Sequence, residues 1–159
     1  LLGSLLRSLE IASPQVRQFC YRGKGPMPVR VNEGRAMDID KIAEALAGIT
    51  AVYRNEYDLQ VAVGEVLAKF GSVEREVSRV AAAGAHFGRD RFDFFLDRRL
   101  VVEVKIDGSL SQLTRQIVRY LAHHDVEGVI VVTSKSSHLG LRDINGKPVR
   151  VAHLVVGAL

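Results

Sequence analysis

Two periods of apolar residues alternate along the chain. Residues 38 to 48, DIDKIAEALAG, space their apolar positions as a helix does, with Asp38 or Asp40 to cap its start and Gly48 to end it. A stronger helical pattern runs over 51 to 71, where Val52, Leu59, Val63, Val66, Leu67 and Phe70 recur at helical spacing and Gly71 is a natural stop. From 72 to 80 the period shortens to two, with Val73, Arg75 and Val77 alternating with Glu74, Glu76 and Ser78. RFDFFLDRRLVVEVKI, 91 to 106, predicts two strands joined by a tight turn at Asp97–Arg99. A helix is expected over 109 to 125 and a wholly apolar interior strand over 128 to 134. Asn145-Gly146 predicts a turn between two short terminal strands.

A helix between two apolar strands implies a crossover and parallel pairing, whereas the hairpin before it implies antiparallel pairing. The expected fold class is therefore α/β, a mixed central β-sheet flanked by helices. One domain is expected, with residues 1–50 a basic segment and helix packed on or extending a core of 51–159. Residues 1 to 35 are the least patterned. Pro14, Pro26 and Pro28 break any long element there, leaving a short helix, a loop and a short strand around Pro28–Val31.

Composition narrows the classes. Hydrophobic residues make up 47% of the 159 and charged residues 25%, which suits a soluble globular domain. No apolar run approaches the roughly 20 residues that a membrane span needs. The first residues lack the layout of a signal peptide. A single cysteine, Cys20, leaves no intrachain disulfide and no cysteine-based metal or iron–sulfur site, so an intracellular location, cytoplasmic or nucleoid-associated, is expected. A net charge of +4 favours an anionic partner, nucleic acid first. GAHFG at 84 to 88 is not a phosphate-binding loop, and no Walker-type motif supports ATP use.

The strand LVVEV carries charge where apolar residues are expected. Alternation puts Val101, Glu103 and Lys105 on one face and Val102, Val104 and Ile106 on the other. On the preceding strand Asp93 and Phe95 share a face opposite Phe92, Phe94 and Leu96. Pairing through the turn then brings Asp93 near Glu103, or one step beyond it. Buried carboxylates cost several kcal/mol each unless they are paired or hold a metal. A hard divalent cation, Mg²⁺ or Mn²⁺, would resolve that conflict, and a plain Glu–Lys pair at a sheet edge is the blander alternative.

Two helices add polar residues in line. At about 100° per residue Glu56 falls with Val52, Leu59 and Val63 on the buried face of its helix. On the helix from 109, Ser109, Gln112, Gln116, Tyr120 and His123 form a polar stripe between an apolar face and Arg115 and Arg119. Such a stripe suits the rim of a site that receives an anionic chain. His86 is expected on a loop surface, Glu74 and Glu76 toward solvent, and His123 and His124 in structural roles at a helix end.

The series Glu56 on a helix, Asp93 on a strand, Glu103-Val104-Lys105 on the next, then Gln116-Ile117-Val118-Arg119-Tyr120 on a helix resembles the PD-(D/E)xK nuclease superfamily. The resemblance covers about residues 51 to 134 and points to the RecB-like exonuclease or Holliday-junction-resolvase branch. Phe92 stands where many members have proline before the aspartate. The resemblance implies a restriction-endonuclease-like core and metal-dependent hydrolysis of phosphodiester bonds in DNA, structure-dependent or exonucleolytic. It assigns Asp93, Glu103 and the backbone carbonyl of Val104 as ligands of Mg²⁺ or Mn²⁺, with Glu56 an outer or second-metal ligand, directly or through water. Lys105 would stand beside the nucleophile, Gln116 would bond Lys105 or the phosphate, and Tyr120 would position the nucleic-acid backbone. Arg91, Arg115 and Arg119 are the candidate DNA contacts. The expected partner is DNA rather than a membrane, and a homodimer fits the resolvase branch. A non-catalytic nucleic-acid-binding module on the same fold is the alternative.

Overall fold

Polar side chains set where each helix begins. Asp38 accepts the Lys41 amide at 3.1 Å, Asn55 accepts the Asp58 amide at 2.9 Å, and Ser109 and Gln112 form a reciprocal capping box. In the computed structural model, which describes residues 37–50, 52–80 and 88–155, the helices that follow are α1 (Ile39–Ala47), α2 (Glu56–Leu67) and α3 (Leu110–Leu121). The described residues all belong to one unit spanning 36–159. The elements expected within 1 to 35, and His86, lie outside the described residues.

The helix expected from 51 starts only at Glu56, because Asn55 is extended and caps it. Val52 therefore stands outside the helix, 82% exposed, and not in line with Leu59 and Val63 on a buried face.

Five strands form one sheet in the order β1 (Val73–Val80), β2 (Arg89–Leu96), β3 (Leu100–Val104), β4 (Gly128–Thr133), β5 (Val149–His153). β1, β2 and β3 pair antiparallel, whereas β3, β4 and β5 run parallel, so the sheet is mixed. The β2–β3 turn places Asp97 and Arg98 in the left-handed region, and the Asp97 carboxylate accepts the Ser72 amide at 2.7 Å. A Cβ at position 71 would stand 2.5 Å from the Asp97 carboxylate oxygens, so a larger residue there must displace the group that holds the Ser72 amide. The terminal strand pair is not a hairpin. Asn145-Gly146 turns a small bridge between Ile144 and Lys147, and β5 then joins β4 in parallel.

Helices cover both faces. Leu59, Val63 and Leu67 of α2, with Ile42 and Leu46 of α1, bury Phe94, Leu96, Val102, Val104, Ile130 and Val132. On the other face Leu113, Ile117 and Leu121 of α3 bury Phe92, Phe95, Val101, Val129 and Val131. β4, buried along its whole length, sits between the two layers as its unbroken apolar sequence predicts. No helix among the described residues is long and apolar enough to cross a membrane.

Strict alternation fails at one place. Phe92 and Phe95 both face α3, whereas Phe94 and Leu96 face α2, so Phe92 is not on the side of Phe94 as alternation predicts. β1 changes face at the same level, Val73 packing on the α2 side and Val77 on the α3 side. Between them the β1–β2 ladder skips the Glu76·Asp93 step, and Glu76 takes a φ of 55°. A left-handed residue in one strand turns the ladder over, and Asp93 sits at the turning point.

Candidate active site

The backbone pairing of β2 with β3 ends at Phe94·Val102. The next step would pair Asp93 with Glu103, and here side chains take over from the ladder. The Asp93 carboxylate accepts the Val104 amide at 2.8 Å. The antiparallel register thus delivers the expected neighbourhood of the two carboxylates.

Glu103 is 4% exposed and points to the α3 layer. The Gln116 amide donates to one of its oxygens at 2.6 Å and to the Tyr120 hydroxyl at 2.5 Å. The Tyr120 hydroxyl lies 2.6 Å from the Arg91 carbonyl and 3.2 Å from the other Glu103 oxygen. It has one proton. The Arg91 carbonyl, at the shorter distance, and Glu103, at the longer one, compete for that proton. Burial, and after it the charge of Asp93, pushes the Glu103 carboxyl up to about 8. Burial also raises Asp93; the Val104 hydrogen bond opposes this, the Glu56 charge adds to it, and Lys105 and Arg91 oppose it. Burial, and then Glu103, holds the Tyr120 hydroxyl above its ordinary range.

Glu56, half-buried at the first position of α2, is near enough for its charge to act on Asp93. Lys105 follows β3 directly, and its amide donates to the Val132 carbonyl at 2.8 Å. The loop after it is fastened from β4 and the turn Ser136–Gly140. Lys135 Nζ bonds the Asp107 carboxylate at 2.9 Å and the Gly108 carbonyl at 3.2 Å. His138, fully buried, lies 2.9 Å from Thr133 Oγ1 and 3.3 Å from the Gly108 carbonyl. Gly108 has a φ of 96°, and a Cβ there would come within 3.7 Å of Lys105 Cε.

The basic candidates differ. Arg91 is ion-paired with Glu76, and Arg119 Nε donates to Asp90 at 3.1 Å. Arg115 is exposed and has no ion pair among the described residues. The polar stripe of α3 also divides: Ser109 and Gln112 serve the cap, Gln116 and Tyr120 serve Glu103, and His123 bonds the buried Asp90 at 2.9 Å. Glu74 pairs with Arg98 and Glu76 with Arg91. Asp90, Thr133, Lys135 and His138 were not singled out by sequence. β2 begins at Arg89, two residues before the strand expected from 91, so Asp90 falls in the expected loop, outside the pattern that singles out Asp93.

As the side chains stand, no three His, Cys, Asp or Glu residues among those described are gathered to hold a metal ion. The chemistry of the donor set nevertheless fits a hard cation. Burial, and then the charge of Asp93, raises Glu103; burial, and then the charge of Glu56, raises Asp93; an ion among these carboxylates would relieve both. No protein-family profile, no curated protein and no solved structure matches the chain.

Proposed function

We propose that the chain is a divalent-metal-dependent deoxyribonuclease with a restriction-endonuclease-like core of the PD-(D/E)xK kind. The observation that carries this reading is the meeting of Asp93 and Glu103 beside Lys105, where β2 and β3 part company. A structural carboxyl in a sheet core has no need of a second one at the next step of the register.

Asp93, Glu103 and the Val104 carbonyl would hold Mg²⁺ or Mn²⁺, with Glu56 at the outer side. When bound, such an ion polarises the phosphodiester and lowers the pKa of its water. Glu103 must give up its proton to serve, and Gln116 keeps the carboxylate aimed while it does so. Lys105 orients the attacking water or offsets charge that develops on the phosphate. Tyr120 keeps β2 against α3 through the Arg91 carbonyl. Arg115, free of an acidic partner among the described residues, is the first candidate for a phosphate contact, and Arg91 and Arg119 can serve only by leaving Glu76 and Asp90. DNA is the partner this chemistry fits, and a homodimer would let two such sites cut two strands.

A calorimetric titration with Mn²⁺ tests the reading. One site that Asp93→Ala removes is expected, and its absence from the wild-type protein would end the proposal.

One observation favours a second reading, a nucleic-acid-binding module on the same fold. Both oxygens of Glu103 already have hydrogen-bond partners, Gln116 and Tyr120, without any cation. A chain that binds DNA but takes up no Mn²⁺ would be of this kind.

A further inference from the structure

The first half of β2, Arg89 to Phe92, has β1 on one side and has left β3 on the other. α3 and the turn after it supply what β3 no longer does. The Tyr120 hydroxyl donates to the Arg91 carbonyl at 2.6 Å. The Phe92 ring meets Tyr120 edge-on at 4.7 Å and His123 at 5.6 Å. Asp90 is 3% exposed, and its two oxygens meet Arg119 Nε at 3.1 Å and His123 Nε2 at 2.9 Å. The turn that carries His123 is itself held, because Lys147 Nζ bonds the carbonyls of Leu121, His123 and Val126 at 2.8, 3.0 and 2.6 Å.

A carboxylate this deeply buried is a poor choice for stability alone, since an apolar residue of similar size often does as well or better. What the ionic anchor supplies is direction: it fixes the strand half at one angle to α3. Asp93 is the next residue beyond the anchored segment, at the step where the ladder turns over and Glu76 is left-handed.

We infer that Asp90 is a positioning residue for Asp93: by fastening the departed half of β2 to Arg119 and His123, it sets where the Asp93 carboxylate stands. Its consequence for metal and DNA rests on the nuclease reading. Its consequence for geometry does not, because the Val104 amide that Asp93 holds reports the position of the carboxylate directly.

The test uses the whole chain carrying Asp90→Asn, with amide hydrogen exchange at Val104 and calorimetric titration with Mn²⁺. Exchange at Val104 is expected to rise about tenfold or more while the amides of β4 hold their rates. Mn²⁺ affinity is expected to fall about tenfold, as for loss of a residue supporting a ligand. Asp93→Ala marks the limit of both effects. Arg150→Ala, which breaks surface pairs to Asp40 and Asp143, is the control and should leave Val104 unchanged. If Asp90→Asn does not fold, Arg119→Gln removes only the partly exposed donor and should raise Val104 exchange to a smaller extent. Wild-type exchange at Val104 in whichever of the two folds, or an equal rise in Arg150→Ala, would overturn the inference. A wild-type protein that takes up no Mn²⁺ while Val104 still responds to Asp90→Asn would sink the nuclease reading and leave the positioning role standing.

Discussion

The Gln116 side-chain nitrogen stands 2.6 Å from a carboxylate oxygen of Glu103, so α3 reaches across its layer to hold an acid on a central strand. Gln116→Ala removes that donor and leaves the carboxylate free to turn. Single-turnover cleavage at saturating Mn²⁺ is expected to slow by about 10- to 100-fold, the usual cost of losing a group that aims a metal ligand. An unchanged rate would mean that the bond only stabilises the fold.

Tyr120→Phe keeps the ring against Phe92 and takes away the proton that the Arg91 carbonyl receives. A buried acceptor left without a donor costs about 1–3 kcal/mol. Urea unfolding should show the midpoint falling accordingly with an unchanged slope. A midpoint equal to wild type would show that water or another donor serves Arg91.

Stability of the metal-free protein should depend on pH through Glu103. The folded chain keeps this group protonated up to about pH 8, whereas its ordinary value is 4.5. Between those values the folded state holds a proton that the unfolded state has released, so stability falls as pH rises. The contribution is complete below 4.5 and gone above about 8. Asp93, raised in the same sense, adds to the slope at its acid end. Thermal melts in EDTA from pH 5 to 8.5 should show the decline, and a flat or rising curve would contradict the burial of an acidic Glu103. On the proposed nuclease reading cleavage needs the ionised carboxylate, so its rate should rise over the same range.

Glu103→Gln separates the two demands. The amide needs no ionisation, so the variant should melt higher than wild type at pH 8 in EDTA and lose most of the pH dependence. It should also lose cleavage, because a neutral amide is a weak ligand for a hard cation. A variant that cut DNA at the wild-type rate would remove Glu103 from the site.

Much of this arrangement could be read from residue order. The cap at Asp38, the helix expected from 109 and the period of two over 72 to 80 and 100 to 104 anticipate α1, α3, β1 and β3. The neighbourhood of Asp93 and Glu103 follows from a short hairpin, because the turn length sets the register. The change of face at Asp93 was hidden for a definite reason. It depends on Glu76 at a φ of 55°, and no glycine or asparagine there announces a left-handed residue. The late start of α2 was obscured by Val52, whose place in the apolar series is accidental, Asn55 being the true cap. Asp90 with His123, and His138 with Thr133, join residues 33 and 5 positions apart through the fold, and neither spacing is a motif.

The most direct measurement is a cleavage panel of four-way junction, flap, linear duplex and single-stranded DNA, each with Mn²⁺, for the wild type and Lys105→Ala. The wild type is expected to cut at least one substrate, EDTA to stop it, and Lys105→Ala to reduce it to background while melting as the wild type does. A folded wild type that binds DNA and cuts none of the four, or a Lys105→Ala variant that cuts at full rate, would contradict the nuclease assignment.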